Sequence, residues 1–270
     1  HEDGTVWFAS SRFGDDKDRV VQRSNGEYTY LAADIAYLHN KFKRGFDKLV
    51  MVLGQDHHGY VSRLKAATQA LGYDADRLTI ILYQLVTLKQ TGQQVRMSKR
   101  TGNIVTLGDI IDMVGVDMAR YFYLNKKNDA HLEFDLDLAR TQSEENPVFY
   151  IQYAYVRTKS VLDKAYNKHN YDHISENDSQ YVTEQERGIL KKVAALKPLL
   201  VQIANNYQTH LLAHYVYDLA HTFHSYYGAH KIIVDDDMET TRGRLFLVHI
   251  VRNTLAVGLD LLGLDKPEHM

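Results

Sequence analysis

The sequence LVMVLG occupies positions 49–54, and this stretch decides the fold of the first half of the chain. Its five apolar residues do not alternate with polar ones, which favours a strand buried on both faces of a parallel sheet. A second apolar run, TIILY, follows at positions 79–83. Between them, residues 60–71 have helical spacing of apolar side chains and end at Gly72, as helices often do. The order strand, helix, strand predicts one unit of a doubly wound α/β sheet.

Polar residues follow the first strand, at the end where α/β sheets bind their ligands. Residues 54–59 read GQDHHG. One interpretation is a ribose and substrate site, since Gly54 permits close approach of the backbone and Asp56 can accept from hydroxyl groups. A metal site is a second interpretation, but adjacent histidines point apart and no HExxH spacing accompanies them. The third is an ordinary loop with a capping aspartate.

Tyr30 and Asp34 form another candidate pair. If a helix begins near Leu31, the two side chains lie one turn apart on the same face. A phenol and a carboxylate on one face could hold a cationic head group, and carboxylates pair with a planar guanidinium through two hydrogen bonds. The alternative is a packed tyrosine beside a solvated aspartate.

The sequence RMSKRTGN, at positions 96–103, is the most informative about function. It follows an apolar, strand-like run; Gly92 precedes it and Gly102 lies near its end. A lysine on a flexible stem, here Lys99, can follow a charge that moves during a reaction, whereas a fixed arginine pair suits a ground state. The segment indicates a polyphosphate site, with a basic surface turn as the alternative.

From Pro147 onward, strand-like runs become rare and long helical periodicities take over. Pro147 suits the first turn of a helix. Apolar stripes at helical spacing recur in four segments, which predicts a helix bundle, and Pro198 is expected to kink or split one of its helices. This half is rich in tyrosine. Residues such as Tyr150 and Tyr153 could stack on unpaired bases or lie in the core with the hydroxyl at its rim.

Composition bounds the class of protein. The chain has 270 residues, of which 44% are hydrophobic and 24% are charged, as in soluble globular proteins. Its net charge is −2, so a bound polyanion would need a local positive surface. There is no cysteine, which excludes disulfides and thiolate metal sites. No apolar stretch approaches the roughly 20 residues that cross a bilayer, and we expect no membrane partner.

The segment RMSKRTGN, followed by VTL at 105–107, resembles the Lys-Met-Ser-Lys-Ser signature of class I aminoacyl-tRNA synthetases, in the form found in arginyl-tRNA synthetases. Further segments occur in that family's order and extend the resemblance over essentially the whole chain. They are residues 3–5, 30–34, 54–60, 132–135, 142–153 and 261–270.

This resemblance implies a fold that is α/β plus all-α. The second half of a Rossmann-like nucleotide fold is followed by a helix-bundle anticodon-binding domain. The implied domains are a partial catalytic domain at 1–104, a helical connector toward the tRNA acceptor side at 105–145, and the α-helical anticodon-binding domain at 146–270.

The resemblance also implies an arginine–tRNA ligase, which uses ATP to form arginyl-adenylate and then charges tRNA-Arg. The implied partners are arginine, ATP together with Mg²⁺, and tRNA-Arg, in the cytoplasm and without a structural metal bound by the protein. The implied site residues fall into four groups. They are Lys99 and Ser98 for catalysis, Gly54, Asp56, Met97 and Lys99 for ATP, Tyr30, Asp34 and His57 for arginine, and Tyr150, Tyr153 and Met270 for tRNA.

One departure from the family changes the expectation for this chain. The family carries a His-Ile-Gly-His type motif in the first half of its nucleotide fold, and no such motif occurs in this sequence. We therefore expect the amino-terminal half of the same enzyme to be a missing partner, and the chain alone to make no adenylate. Two other functions stay open: a non-catalytic module that binds the tRNA anticodon, and a histidine-based metal hydrolase.

Overall fold

A computed structural model describes residues 3–95, 105–169, 171, 174–184 and 186–270. They form two compact units. The amino-terminal unit comprises His1–Leu85 and Asn128–His131, and the carboxyl-terminal unit comprises Val86–Lys127 and Leu132–Met270. The predicted combination of an α/β part and a helical part is confirmed. The domain boundaries predicted after residues 104 and 145 stay predictions.

The amino-terminal unit contains two small sheets and two α-helices. One sheet is the antiparallel pair β1 and β2, and the other is the parallel pair β3 and β4. The bounds are β1 Val6–Phe8, β2 Arg19–Gln22, α1 Tyr30–Lys43, β3 Leu49–Gly54, α2 Val61–Ala70 and β4 Leu78–Tyr83.

The predicted order strand, helix, strand is confirmed by β3, α2 and β4. The two strands run in register from Leu49 opposite Leu78 to Gly54 opposite Tyr83. Leu64 of α2 is fully buried against both strands and against α1 in one apolar core. This arrangement brings the polar residues after β3 to the carboxyl end of a parallel pair.

The prediction that the strand at 49–53 is buried on both faces is wrong. Val50 and Val52 are 43% and 60% exposed. Successive side chains of a strand point to opposite faces, and the core formed with α1 and α2 takes up Leu49 and Met51 of β3. The face that carries Val50 and Val52 therefore remains open to solvent.

The carboxyl-terminal unit combines a three-stranded sheet with helices. The strand order is β6-β5-β7, in which β5 pairs antiparallel with β6 and parallel with β7. The strand bounds are β5 Val86–Gln90, β6 Gln93–Gln94 and β7 Leu132–Asp135. The helix bounds are α3 Leu107–Val114, α4 Val116–Leu124, α5 Leu136–Arg140, α6 Pro147–His169, α7 Arg187–Ala194, α8 Leu196–Asn206, α9 His210–Ala229 and α10 Met238–Leu262.

Helix α6 begins at Pro147, as predicted, and Asn146 fixes its start. The side-chain oxygen of Asn146 accepts from the backbone N–H of Val148 at 3.0 Å, and its amide nitrogen donates to the carbonyls of Ala139 and Thr141 at 3.1 and 2.9 Å. The buried side chain therefore satisfies both a helix end and the preceding loop.

The predicted helix bundle is confirmed, and so is the split near Pro198. Helix α7 ends at Ala194 and α8 begins at Leu196, so Pro198 lies in the first turn of α8, where a missing N–H costs little. Helices α6, α9 and α10 pack around fully buried side chains such as Ile151, Phe223 and Leu255.

Helix α10 departs from the expectation that no apolar stretch is long enough to cross a bilayer. Its length and composition are sufficient for a membrane span, although 50% of its apolar window is buried within the fold. A core helix of a bundle has the same properties.

Candidate functional site

The turn after β3 is shaped by Gly54. It leads into a 3₁₀ turn, Gln55–Tyr60, that runs directly into α2. A Cβ atom at position 54 would lie 2.6 Å from Oδ1 of Asp56. Glycine is therefore needed for the Asp56 carboxylate to fold back onto the end of the strand. The Asp56 side chain is largely exposed, and Nε2 of His57 lies 3.8 Å from its Oδ2.

Asp34 is the carboxylate whose surroundings are most unusual for a surface helix. It lies partly buried on α1, and burial raises its pKa, while the charges of His57 and Lys41 act in the opposite direction. Among the residues that the structure describes, Asp34 makes no hydrogen bond and no ion pair. A partly buried carboxylate without a donor is poised to accept one from a cationic ligand.

Tyr60 belongs to the same group, although spacing along the chain did not single it out. Burial raises the pKa of Tyr60, and the negative charge of Asp34 raises it further. The Tyr60 ring meets the His57 ring edge to face, with centroids 6.1 Å apart. The structure thus brings together Asp34, His57 and Tyr60 from two elements of the amino-terminal unit. The only signal in the sequence was the position of Tyr60 at the end of the 54–60 segment.

Arg63 extends this group along α2. Its guanidinium carbon lies 5.0 Å from the centroid of the Tyr60 ring. Its Nε is buried and has no hydrogen-bond partner among the described residues. The i, i+3 spacing of Tyr60 and Arg63 at the start of α2 could have indicated this pair.

Tyr30 lies farther out. It is the first residue of α1, one turn before Asp34 as predicted, and its side chain is 88% exposed. Asp34 and His57 are therefore brought together, whereas Tyr30 lies at the solvent end of the same helical face.

The predicted ATP and catalytic residues of the signature segment, Met97, Ser98 and Lys99, lie outside the described residues. In the described residues that follow this segment, Thr106 caps α3. Its hydroxyl accepts from the backbone N–H of Asp109 at 3.2 Å, and the Asp109 carboxylate accepts from the backbone N–H of Thr106 at 2.7 Å.

In the carboxyl-terminal unit, Tyr150 and Tyr153 of α6 lie beside α9. The hydroxyl of Tyr150 is 3.1 Å from Nδ1 of His221, and its ring centroid is 4.5 Å from that of His224 and 5.4 Å from that of Tyr217. The Tyr153 ring centroid is 5.6 Å from that of His224. The two predicted tRNA contacts are thus part of one aromatic cluster.

His224 holds the centre of this cluster in its neutral form. Nη1 of Arg157 lies 2.7 Å from its Nδ1, and its Nε2 lies 3.2 Å from the carbonyl oxygen of Tyr150. A guanidinium only donates, so Nδ1 accepts and Nε2 carries the proton that is donated to the carbonyl. Burial lowers the pKa of His224, and the positive charge of Arg157 lowers it further.

Met270, the third predicted tRNA contact, is placed apart from the two tyrosines. The chain that leads to it lies along α6, where Gln152 donates to the carbonyl of Asp265 at 3.1 Å and Lys159 pairs with Glu268 at 3.4 Å. At 3.6 residues per turn, Gln152 and Lys159 face roughly the opposite side of α6 from Tyr150. Met270 itself is 51% exposed, and its role stays a prediction.

Within the described parts of the chain, no group of three or more histidine, aspartate or glutamate side chains could hold a metal ion.

Two family models match the chain. Residues 1–167 match the catalytic domain of class I (R) tRNA synthetases, and residues 151–270 match the DALR anticodon-binding domain. Together the two matches cover the chain from end to end.

The curated relatives are arginine–tRNA ligases. The chain is 43% identical over 270 residues to the one from Oceanobacillus iheyensis and 45% identical over 270 residues to the one from Geobacillus kaustophilus. Each alignment covers 100% of this chain and 48% of the relative. The chain therefore spans about half the length of the curated relatives it matches.

Solved structures agree with these matches. An arginyl-tRNA synthetase from Campylobacter jejuni superposes with a TM-score of 0.89 at 36% identity, over 99% of this chain and 58% of that one. The arginyl-tRNA synthetase of Thermus thermophilus gives 0.82 at 23% identity, over 99% and 54% of the two chains. The second likeness concerns the fold alone.

Proposed function

We propose, because this chain belongs to the family of class I arginyl-tRNA synthetases, that it contributes part of an arginine–tRNA ligase. Such an enzyme joins arginine to ATP, giving arginyl-adenylate and pyrophosphate, and then transfers arginine to the terminal ribose of tRNA-Arg. The observation that carries the proposal is the partly buried Asp34 carboxylate, within electrostatic reach of His57 near the carboxyl end of β3. Ligands of open α/β sheets bind at that end.

Arginine is the ligand of Asp34 in this proposal. The carboxylate receives the guanidinium of the substrate through charge-assisted hydrogen bonds. A bound cation favours the charged form of Asp34 and so offsets the effect of burial on its pKa. His57 borders the same carboxylate, and Tyr30 contacts the substrate from the solvent end of the helical face.

ATP binds at the turn after β3 and at the signature segment. Gly54 lets the adenylate approach the backbone, and Asp56 accepts from the ribose hydroxyls. ATP enters together with Mg²⁺ as its substrate complex. From the family resemblance, Met97 contacts ATP, and Lys99, helped by Ser98, stabilises the phosphates as pyrophosphate leaves.

We further propose that this chain alone makes no adenylate, since it spans about half the length of its relatives. The test is arginine-dependent exchange of labelled pyrophosphate into ATP. It is run on the chain alone and on the chain mixed with the amino-terminal remainder of the Geobacillus kaustophilus relative, with lysine replacing arginine as the control.

The expected result is exchange in the mixture and none with the chain alone. Pyrophosphate exchange by the chain alone would refute the proposal that it makes no adenylate by itself. A stable mixture, detected by size-exclusion chromatography, that shows no arginine-dependent exchange would refute the ligase proposal.

The carboxyl-terminal unit binds the anticodon of tRNA-Arg in this proposal. The support is the match to an anticodon-binding domain at 151–270 and the cluster of Tyr150 and Tyr153, because aromatic faces stack on unpaired bases. This also supports the second candidate, a module that binds tRNA without catalysis. Either way, the protein acts in the cytoplasm, where the tRNA is charged.

Fluorescence anisotropy of labelled tRNA-Arg with the chain tests this part. Saturable binding that weakens as salt rises is expected. A module without catalysis would bind tRNA equally well, but the mixture described above would give no pyrophosphate exchange.

A further inference from the structure

Arg157 is held in one orientation by side chains of two helices. Its guanidinium carbon lies 4.3 Å from the centroid of the Tyr153 ring and 4.9 Å from that of the Tyr227 ring. Nη2 donates to the hydroxyl of Tyr153 at 2.8 Å, and Nη1 donates to Nδ1 of His224 at 2.7 Å. The side chain is thus fixed before any ligand arrives.

The positive charge of Arg157 is not neutralised by these neighbours. Its described contacts are two phenols and a neutral imidazole, and no ion pair involves it among the described residues. Other arginines of the same unit do have carboxylate partners: Arg242 lies 3.1 Å from Asp178, and Arg244 lies 3.5 Å from Glu186. A half-buried guanidinium with donors to spare in neutral surroundings is suited to an anion, above all to a phosphate.

The surroundings of Arg157 indicate which kind of phosphate fits. Tyr217 and Tyr227 are each 37% exposed, on the same side of α6 and α9 as Tyr150. Tyr227 lies against the Arg157 guanidinium, whereas Tyr217 lies farther along α9, beside Tyr150. Exposed aromatic faces close to a cation are typical of sites for single-stranded nucleic acid. A free phosphate ion would gain nothing from these rings.

There is also room for a nucleotide next to this position. A cavity of about 340 Å³ adjoins Tyr227. Lys164 and Lys231 line it as well, and both are exposed. The cavity therefore offers space for a base beside the Tyr227 ring, with the positive charge of Lys164 at its wall. The charge of Lys231 is paired with Asp235 at 2.9 Å.

We propose that Arg157 binds a backbone phosphate of single-stranded RNA, with the base of an adjacent nucleotide on the ring of Tyr227 and a base farther along the strand on the ring of Tyr217. The inference rests on the proposed tRNA binding and adds the residue that receives the phosphate. Tyr153 and His224 act on it as positioning residues, because they fix the guanidinium.

Affinity for a labelled tRNA-Arg transcript, measured by fluorescence anisotropy at several salt concentrations, tests the inference. The variants are Arg157→Gln and Arg157→Lys. Arg252→Gln is the matched control, because the Arg252 guanidinium also lies over a tyrosine of α6, 4.2 Å from the Tyr155 ring, and donates to a backbone carbonyl. Circular dichroism establishes that each variant is folded.

Arg157→Gln is expected to weaken binding by roughly tenfold to a hundredfold, as loss of a charged hydrogen bond does. The slope of the logarithm of affinity against the logarithm of salt should fall by about 0.7, the value for one phosphate of a single strand. Arg157→Lys should keep the slope and lose part of the affinity, because it keeps the charge without the planar fork. Arg252→Gln should bind like the unmodified chain.

Two results would overturn the inference while leaving tRNA binding intact. One is an Arg157→Gln chain with unchanged affinity and slope. The other is an equal loss in Arg157→Gln and Arg252→Gln without a change of slope, which indicates a structural role. If the unmodified chain does not bind tRNA at all, the proposed tRNA function falls, and the inference falls with it.

Discussion

Replacement of Asp34 by asparagine is expected to reduce arginine binding without reducing the stability of the fold. The substitution keeps the shape of the side chain and removes its charge. Hydrogen bonds to charged groups contribute about 1.5–3 kcal/mol. At 1.4 kcal/mol for each factor of ten, the affinity for arginine should fall by roughly 10- to 150-fold.

The same substitution should leave the stability of the fold unchanged or raise it. Burial raises the pKa of Asp34 above 3.8, so the folded state disfavours the charged carboxylate more than the unfolded chain does. The resulting loss of stability is complete above the folded pKa and disappears as the pH falls toward 3.8. Asparagine has no charge to bury, so at pH 7 the variant should unfold at an equal or higher urea concentration.

NMR titration with arginine and urea unfolding together check this prediction. Asp47→Asn is the matched control, since Asp47 is an exposed aspartate between α1 and β3 of the same unit. Unchanged arginine affinity in the Asp34 variant, or an equal loss in both variants, would refute the assignment of Asp34. A loss of affinity accompanied by a lower urea midpoint would indicate damage to the fold instead of loss of a contact.

Three further substitutions test other parts of the molecule. Lys99→Ala in the assembled enzyme should cost on the order of 3–4 kcal/mol of transition-state stabilisation, as removal of one charge-stabilising donor does, and an undiminished rate of pyrophosphate exchange would contradict the role of the signature segment. Gly258→Ala should lower the free energy of unfolding by about 1–3 kcal/mol, because its Cβ would lie 2.4 Å from Cγ2 of Val216. Gly188→Ala is the control, because a Cβ at position 188 would have no atom within 4 Å. Equal urea midpoints for the two variants would refute the prediction. His224→Gln should remove a pH dependence of the stability. Burial lowers the pKa of His224 below 6.5, so the unmodified chain should lose stability as the pH falls from 6.5 toward the folded pKa. A variant whose stability changes with pH in the same way would contradict a buried neutral imidazole at position 224.

The elements of the fold that depend on local pattern were predictable from the sequence. Continuous apolar runs gave β3 and β4, helical spacing gave α2, and Pro147 marked the start of α6. The exposure of Val50 and Val52 was not predictable in this way. An unbroken apolar run has the same appearance whether or not a second layer covers the strand.

The candidate sites were predictable where their residues lie close together in the chain. Tyr30 and Asp34 share a helical face because they are four residues apart. The approach of Tyr60 to Asp34 depends on the packing of α2 against α1, which no local spacing encodes. The position of Arg157 between Tyr153 and Tyr227 likewise depends on α9. His224 of that helix, which contacts Arg157, is 67 residues away in the sequence.

The separation of Met270 from the tyrosines has the same kind of cause. It follows from the path of the last residues along α6, which is fixed by contacts to Gln152 and Lys159. The sequence patterns did not connect Met270 with Tyr150 and Tyr153. The three residues were grouped as tRNA contacts because of the family resemblance.

Recognition of a guanidinium by the Asp34 carboxylate is tested most directly by comparing arginine with citrulline, whose side chain has nearly the same shape but carries no charge. Both are titrated into the unmodified chain and followed by NMR. Arginine should bind at least about tenfold more tightly, since a charge-assisted hydrogen bond is at stake, and its shift changes should centre on Asp34, His57 and Tyr60. Equal affinity for the two compounds, or shift changes confined to other parts of the chain, would contradict the assignment.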